Sequence, residues 1–456
     1  NGWHPHLLSM NSKPWSKKAK NWKAPSKNGI ITEHFKKLDE TRLCQVLELL
    51  NRYLEDPNFD SSDWHEVSLK LIPKKGDTTL LKNYRPISLL DVLSKLLSSM
   101  LLAERFNKII NVIGLHEQAG FMSGRGCVDA TAALKITLQN LTCAGHEAYV
   151  LFVNIIKAFD SVNHDMLWKI LAKYGIPENM IQTIKKMYTD IRVTLQVGKE
   201  KEEFMSTSGV KQGDNLAPLL FLFVIQAAIE TMHESWPTKL PDLQYSPNEW
   251  DPKTGTLKWP SSLTCWSTNR KQLVQLWHNQ SFYADDSAFI FLSLEDLIIR
   301  TKHVHDHFKQ FGLQIHLGTR STMPGVQDIK SKMEAMYFPP YEMRKAEILE
   351  NLWTGSYDIG DGQFVSFCQA FWYLGTFLTP TLDDNFDIDS WITAATKVFY
   401  SMRNVLLNKR IKLSFRVQFY LAIPVNILLW GSDSWALSTD LCRKLKTCHN
   451  KFTRHL

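Results

Sequence analysis

Polar and apolar positions follow several different rhythms along this chain. Thr41–Leu54 and Leu89–Ile109 space their apolar residues three and four apart, as helices with one buried face do. Val67–Ile72 reads as a short strand leading into the turn Pro73-Lys-Lys-Gly-Asp77. Tyr149–Ile156 is apolar except at Asn154, the pattern of a strand buried on both faces. His164–Tyr174 is an amphipathic helix, and Val193–Val197 with Glu203–Thr207 suggests a hairpin around Gly198. Pro218–Met232 is a helix. Ser281–Leu292 reads as two apolar strands flanking Ala284-Asp285-Asp286. Leu294–Phe311 is a helix stopped by Gly312. Thr319–Lys330 is a loop, Phe371–Leu378 a strand, and helices fill most of the rest. Trp236–Gln280 is rich in Pro, Trp, Ser, Thr and Asn and reads as an inserted surface segment. No internal repeat is visible. Irregular alternation of strands and helices predicts an α+β fold with a mostly antiparallel sheet.

The 456 residues exceed what one compact core usually holds, and 44% apolar with 22% charged residues marks a globular chain. Net charge is +7, a mild basic excess compatible with a phosphate-rich partner. Residues 1–38 carry eight lysines and one acid, Glu33. That composition suits a basic arm on a nucleic-acid backbone and a solvated leader equally well. Seven cysteines without paired spacing point to a reduced intracellular compartment. The apolar run Leu216–Ile229 falls short of the about 20 residues a membrane helix needs. A buried helix, and no membrane, is the expectation. The chain starts at Asn1 and ends in a run of helix-forming character, so both ends read as cuts from something longer.

The sharpest chemical feature is Phe282-Tyr283-Ala284-Asp285-Asp286. Adjacent acids between apolar strands serve a turn, but they also suit magnesium, which takes hard oxygen ligands in octahedral geometry. Two such ions can activate a hydroxyl and stabilise a leaving pyrophosphate. Around this pair, in order, stand Leu71-Ile-Pro-Lys-Lys-Gly-Asp77, Asn83-Tyr-Arg-Pro-Ile-Ser-Leu89, Gln118-Ala-Gly-Phe-Met-Ser-Gly-Arg125, Lys157-Ala-Phe-Asp-Ser-Val162, Gly209-Val-Lys-Gln-Gly-Asp214 and Tyr373-Leu-Gly375. Together they resemble the reverse transcriptases of non-LTR (LINE-type) retrotransposons, from about Lys23 onward.

The resemblance implies a right-hand polymerase with an antiparallel-sheet palm, helical fingers and a helical thumb. It implies a basic N-terminal extension over 1–55, fingers over 56–147 and palm over 148–345, with an insertion at about 236–280. The end of the palm and the primer grip would span 346–400, and a truncated thumb 401–456. Asp285 and Asp286 would hold two magnesium ions, or manganese in their place. Lys74 or Lys75 and Arg85 would grip the triphosphate of a deoxynucleotide. Gln212 would sit by template and nucleotide, and Phe159 would block a ribose 2′-hydroxyl. Tyr373, Leu374 and Gly375 would grip the primer. Lys332 would protonate pyrophosphate, although Met333 stands where the family has threonine. The family pattern Asp-x-x-Lys-Ala-Phe-Asp reads Asn154-Ile-Ile-Lys-Ala-Phe-Asp160 here. An amide oxygen brings no charge to a metal site, so activity impaired at Asn154 is the expectation. The partners implied are an RNA template, a DNA primer and deoxynucleotides. Other domains of the same polyprotein, an endonuclease among them, would lie outside this chain. Its place would be intracellular, in cytoplasm and nucleus as a ribonucleoprotein.

Two other readings stand beside this one: a catalytically inactive nucleic-acid-binding remnant, and a group II intron maturase-like splicing cofactor. His303 and His307 share a helix face, and Cys442, Cys448 and His449 lie close in sequence. Neither set has the ligand count and spacing of a zinc site; an exposed helix fits the histidines better, and an ordinary structural role fits the C-terminal set better. Trp236, Trp250, Trp259, Trp266 and Trp277 lie in or beside the insertion and suit a local aromatic core better than base stacking.

Overall fold

The structure, a computed structural model, describes residues 21–25, 28–56, 59, 62–74, 77–236, 249–251, 256–258, 280–321, 327–340 and 355–456. Lys75, the basic leader before residue 21, Trp259, Trp266, Trp277 and most of the insertion lie outside the described residues.

The chain opens with α1 (Thr32–Lys36), α2 (Glu40–Glu55) and the strands β1 (Glu66–Pro73) and β2 (Tyr84–Leu89). Then come α3 (Val92–Leu97), a π-helical turn Ser98–Ala103, and α4 (Glu104–Ile113). Next are α5 (Cys127–Cys143), β3 (Ala148–Ile156), α6 (His164–Lys173), α7 (Glu178–Tyr188), β4 (Ile191–Val197), β5 (Glu200–Ser206) and α8 (Ala217–Glu234). β6 (Gln280–Tyr283) and β7 (Asp286–Phe291) precede α9 (Leu294–Gln310). β8 (Glu334–Phe338), β9 (Ser356–Gly360), β10 (Gln363–Phe367), β11 (Phe371–Tyr373) and β12 (Thr376–Leu378) follow. The longer helices after them are α10 (Asn385–Ser401), α11 (Leu413–Tyr420) and α12 (Thr439–His455).

Two compact units result. The first comprises residues 1–115, 155–235 and 305–314; the second, 116–154, 236–304 and 315–456. The first unit holds a four-stranded sheet ordered β2–β1–β4–β5, with β1 and β4 parallel and the other pairs antiparallel. Val67, Leu90, Ile191 and Val193 form its small apolar cluster. α8 is apolar nearly all round and correspondingly buried, and it starts at Ala217-Pro218, where a missing backbone N–H does no harm.

The second unit is built on a sheet in which β10, β8, β3, β7 and β6 are neighbours in that order. Only β8 and β10 run parallel among them. β3 is buried along its length until Asn154, which is exposed. Leu134, Leu138 and Leu141 of α5 cover Val150, Phe152, Ala288, Ile290, Met336 and Phe338. Phe371 stacks on Phe152 with ring centroids 4.0 Å apart and planes 10° from parallel. A separate cluster of Ala395, Phe399, Leu406, Tyr420, Leu428, Cys448 and Phe452 ties the C-terminal helices together. Cys448 is therefore core, and His449 Nδ1 lies 2.7 Å from the Tyr420 hydroxyl.

The α+β expectation with mostly antiparallel sheets holds at this level. Three local expectations change. Leu89–Ile109 is not one helix: Pro86 sits in edge strand β2, where its missing N–H is tolerated, and Asp91 caps the helix by accepting from Leu93 N at 2.7 Å. Phe371–Leu378 is a hairpin, because Leu374 and Gly375 both adopt positive φ, 50° and 89°. Residues 356–367 are also a hairpin, and the alternating burial of Tyr357 and Ile359 is the period-two signal of a strand.

Candidate active site

Tyr283 pairs with Asp286 across β6 and β7, so Ala284 and Asp285 form a two-residue turn. Ala284 takes φ 57°, a conformation that such turns usually give to glycine. Something must hold it there. Gln118 does so: its Oε1 accepts from Ala284 N at 3.0 Å and from Gly120 N at 2.8 Å. Either side of that bond, Phe282 N donates to Glu117 O and Ala119 N to Phe282 O. Gly120 packs so closely that a Cβ there would lie 2.3 Å from Ala284 N. The Gln118-Ala-Gly120 segment is thus a brace for the acidic turn. The sequence marks these residues only as one signature among several; their contact with the turn is a tertiary fact.

Asn154 stands opposite Asp286 in the β3–β7 register. Its Nδ2 donates to Asp286 Oδ1 at 2.8 Å. Burial raises the Asp286 pKa from its ordinary value, and the Asn154 hydrogen bond opposes that rise. The β8–β3 register runs from Phe338 opposite Ala148 to Glu334 opposite Phe152, so β8 begins just after Lys332 at the Asn154 end of β3. Asn154, Asp285, Asp286 and Lys332 therefore share one end of this sheet.

As a donor set this end fits a magnesium ion. It offers two hard carboxylates within one turn, one of them partly desolvated, and a neutral amide oxygen across the strand pair. A second ion is served less well, since the third donor brings no charge. Among the described residues no three His, Cys, Asp or Glu side chains gather to hold a metal.

Tyr373 is buried, its hydroxyl 3.2 Å from Ser281 Oγ on β6. It supports the strand that leads to Asp285, while Leu374 and Gly375 form the half-buried turn beyond it. A Cβ on Gly375 would lie 2.6 Å from Trp430 Nε1.

The remaining expected residues lie in the first unit. Lys74 and Arg85 are exposed at one end of the β1–β2 ribbon; Arg85 pairs with Ile72, and Lys74 N donates to Asn83 O at 2.7 Å. Phe159 is half-buried and stacks on Phe221 with centroids 4.9 Å apart. Its carbonyl accepts from Val210 N at 2.7 Å. Gln212 Nε2 donates to Asp160 Oδ1 at 3.1 Å, and Gln212 O accepts from Ser88 N at 2.7 Å. Burial raises the Asp160 pKa, against the Gln212 bond and the cations of Lys157 and Lys74.

Beneath Gln212 lies a polar cluster that sequence reasoning did not single out. Lys211 Nζ donates to Met187 O at 2.6 Å and sits 4.8 Å from the Tyr188 ring centre. Burial pulls its pKa down to about 8, against the charge of Asp214. Asp214, itself buried, accepts from the Ser98 hydroxyl and from Leu216 N, so it anchors both the π-helical turn and the start of α8.

A model of the family described as Reverse transcriptase (RNA-dependent DNA polymerase) matches residues 72–319, over half of the chain. The chain is 32% identical over 162 residues to a retrovirus-related Pol polyprotein from the type-2 retrotransposable element R2DM of Drosophila melanogaster. That match covers 35% of this chain and 15% of the relative. It is 29% identical over 214 residues to a retrovirus-related Pol polyprotein from the type-1 element R2 of Popillia japonica, covering 45% of this chain and 28% of the relative. A Nasonia vitripennis R2 polyprotein is 29% identical over 172 residues, covering 36% of this chain and 16% of the relative. The matched stretches are thus a minor part of each relative's length.

Proposed function

Because the chain belongs to the reverse transcriptase (RNA-dependent DNA polymerase) family, we propose that it extends a DNA primer along an RNA template as the polymerase domain of a non-LTR retrotransposon protein. The observation that carries the reading is the braced Ala284-Asp285 turn, with Asp286 hydrogen-bonded to Asn154 on the neighbouring strand. In this reading the sheet of the second unit is the palm, β1 and β2 belong to the fingers, and the C-terminal helices are the thumb.

Asp285 and Asp286, with the Asn154 amide oxygen, would hold the metal. Magnesium bound there supplies a Lewis acid for the primer hydroxyl and counter-charge for pyrophosphate. The chain's own residues do the rest. Arg85 and Lys74 bind the triphosphate through guanidinium and ammonium groups. Phe159, fixed on Phe221 and tethered to Val210, excludes a 2′-hydroxyl. As the primer 3′-oxygen, its proton passed to solvent, bonds to the α-phosphate and the α–β phosphoanhydride bond breaks, Lys332 gives a proton to the departing pyrophosphate. The Leu374–Gly375 turn steadies the primer end. Endonuclease and other polyprotein domains, and a place in cytoplasmic and nuclear ribonucleoprotein, complete the proposal.

One observation favours a second reading, a nucleic-acid-binding domain with little polymerase activity. Asn154 presents an N–H to Asp286 where polymerisation needs an anionic oxygen. RNA-templated extension of a DNA primer by the Asn154→Asp variant tests the choice. Extension that Asp285→Ala abolishes supports the polymerase. Tight primer–template binding by a variant that never extends supports the second reading.

A further inference from the structure

Resting on the reading that Gln212 lies beside the nucleotide, we propose that Asp160 is a positioning residue that decides which end of the Gln212 carboxamide faces the ligand. A side-chain carboxamide is a donor at one end and an acceptor at the other, with almost the same shape either way round. An ionised carboxylate only accepts. Gln212 Nε2 donates to Asp160 Oδ1 at 3.1 Å, so the amino end is committed and the carbonyl oxygen is the end left for other partners.

The backbone around this pair keeps the two side chains at that distance. Val210 N donates to Phe159 O at 2.7 Å, and Gly209 N to Val162 O at 2.8 Å. Gly209, at φ 82°, packs so tightly that a Cβ would lie 2.9 Å from Asp160 Cα. On the other side Ser88 N donates to Gln212 O at 2.7 Å. Gly213, at φ 119°, would put a Cβ 2.6 Å from Ser88 O. Lys211 and Asp214 pin the same loop from below. None of these contacts uses the Asp160 carboxylate; what that group adds is the polarity of the Gln212 head group. The nucleotide group that meets Gln212 is therefore a hydrogen-bond donor, a sugar hydroxyl or an exocyclic base amine.

The test is a reciprocal exchange. Nucleotide affinity is measured on the chain bound to primer–template, and KM and kcat for extension are measured in the Asn154→Asp background. Gln212→Glu sets two carboxylates against each other and should weaken nucleotide binding about tenfold or more. Adding Asp160→Asn lets the introduced amide donate to the introduced carboxylate and leaves an acceptor oxygen outward, so the double variant should recover most of the affinity. Asp160→Leu, which leaves the carboxamide free to turn, should raise KM with little change in kcat. Analogues lacking the sugar hydroxyl or the base amine identify the donor, since only the relevant one becomes insensitive to Gln212→Ala. Strictly additive losses in the exchange, or an unchanged KM in Asp160→Leu beside a weakened Gln212→Ala, overturn the proposal. If Gln212→Ala itself leaves affinity unchanged, the placement of Gln212 fails and the proposal falls with it.

Discussion

Gly120→Ala is the smallest change that reaches the acidic turn. Gly120 does not have positive φ, so alanine is allowed by its backbone and would ordinarily stabilise by about 0.4–1 kcal/mol through the unfolded state. Contact reverses that sign. The new Cβ would stand 2.3 Å from Ala284 N and 2.8 Å from the Tyr283 carbonyl carbon, both backbone atoms. Relief to an ordinary separation of about 3.5 Å moves the turn or the brace by about 1 Å. Overpacking of that kind costs about 1–3 kcal/mol. If the turn swings away from Gln118, a buried N–H loses its partner at a further cost of about 1–3 kcal/mol. The sum, about 2–6 kcal/mol, is a large share of the about 5–15 kcal/mol that usually separates folded from unfolded states. An error of about 1 Å at Asp285 should also slow extension about a hundredfold. Urea unfolding followed by circular dichroism reads the first effect, and kcat in the Asn154→Asp background the second. Gln118→Leu adds no contact but leaves the Ala284 and Gly120 N–H groups without their acceptor, so it should cost a comparable about 2–6 kcal/mol and slow extension as well. A Gly120→Ala protein as stable as the parent, extending at the parent's rate, would refute the brace.

Asp387 is fully buried and accepts from Phe377 N at 2.9 Å and Trp435 Nε1 at 2.8 Å. Asp387→Ala should destabilise by about 2–6 kcal/mol, since two donors lose their partner; Asp387→Asn should cost less, and equal urea midpoints for the two variants would count against the pairing. Because burial raises the folded-state pKa of Asp286, the folded chain holds that proton to higher pH than the unfolded chain. Its contribution to stability is therefore complete below the unfolded pKa and is lost as pH rises through the folded one. In metal-free urea titrations from about pH 4 to about pH 7, Asp286→Asn should lack that decline, and identical slopes would contradict it. In the Asn154→Asp background Phe159→Ala should admit ribonucleotides; unchanged preference for deoxynucleotides would show that Phe159 does not meet the sugar.

The elements that come from strong apolar runs were legible in the sequence. β3, α8 and the β6–β7 hairpin follow directly from where apolar residues stop being interrupted, and Asn154 showed itself as the one polar residue in its strand. What could not be read was set by contacts distant in sequence. Gln118 and Ala284 are 166 residues apart, and no local pattern says that one side chain props the other's backbone. Asp160 and Gln212 are 52 apart, and their bond depends on how two glycine-tight loops meet. At Phe371–Leu378 the apolar letters were right, but the turn was hidden because Leu374 occupies a left-handed position that leucine rarely takes.

In the proposed polymerase, Asn154 withholds a charge that the metal site would use. One charge about 4 Å from a cation is worth about 4 kcal/mol at an effective dielectric of about 20, before desolvation is subtracted. Half of that surviving in the transition state changes the rate by more than about tenfold, since about 1.4 kcal/mol is one decade. The direct measurement is RNA-templated primer extension by the natural chain and by Asn154→Asp across a magnesium titration. The variant should extend more than about tenfold faster and reach half its maximal rate at lower magnesium, while its metal-free form is slightly less stable because Asp285 and Asp286 repel the introduced carboxylate. A natural chain that matches the variant at low magnesium would show that Asn154 is not limiting and assign the missing charge to another acid.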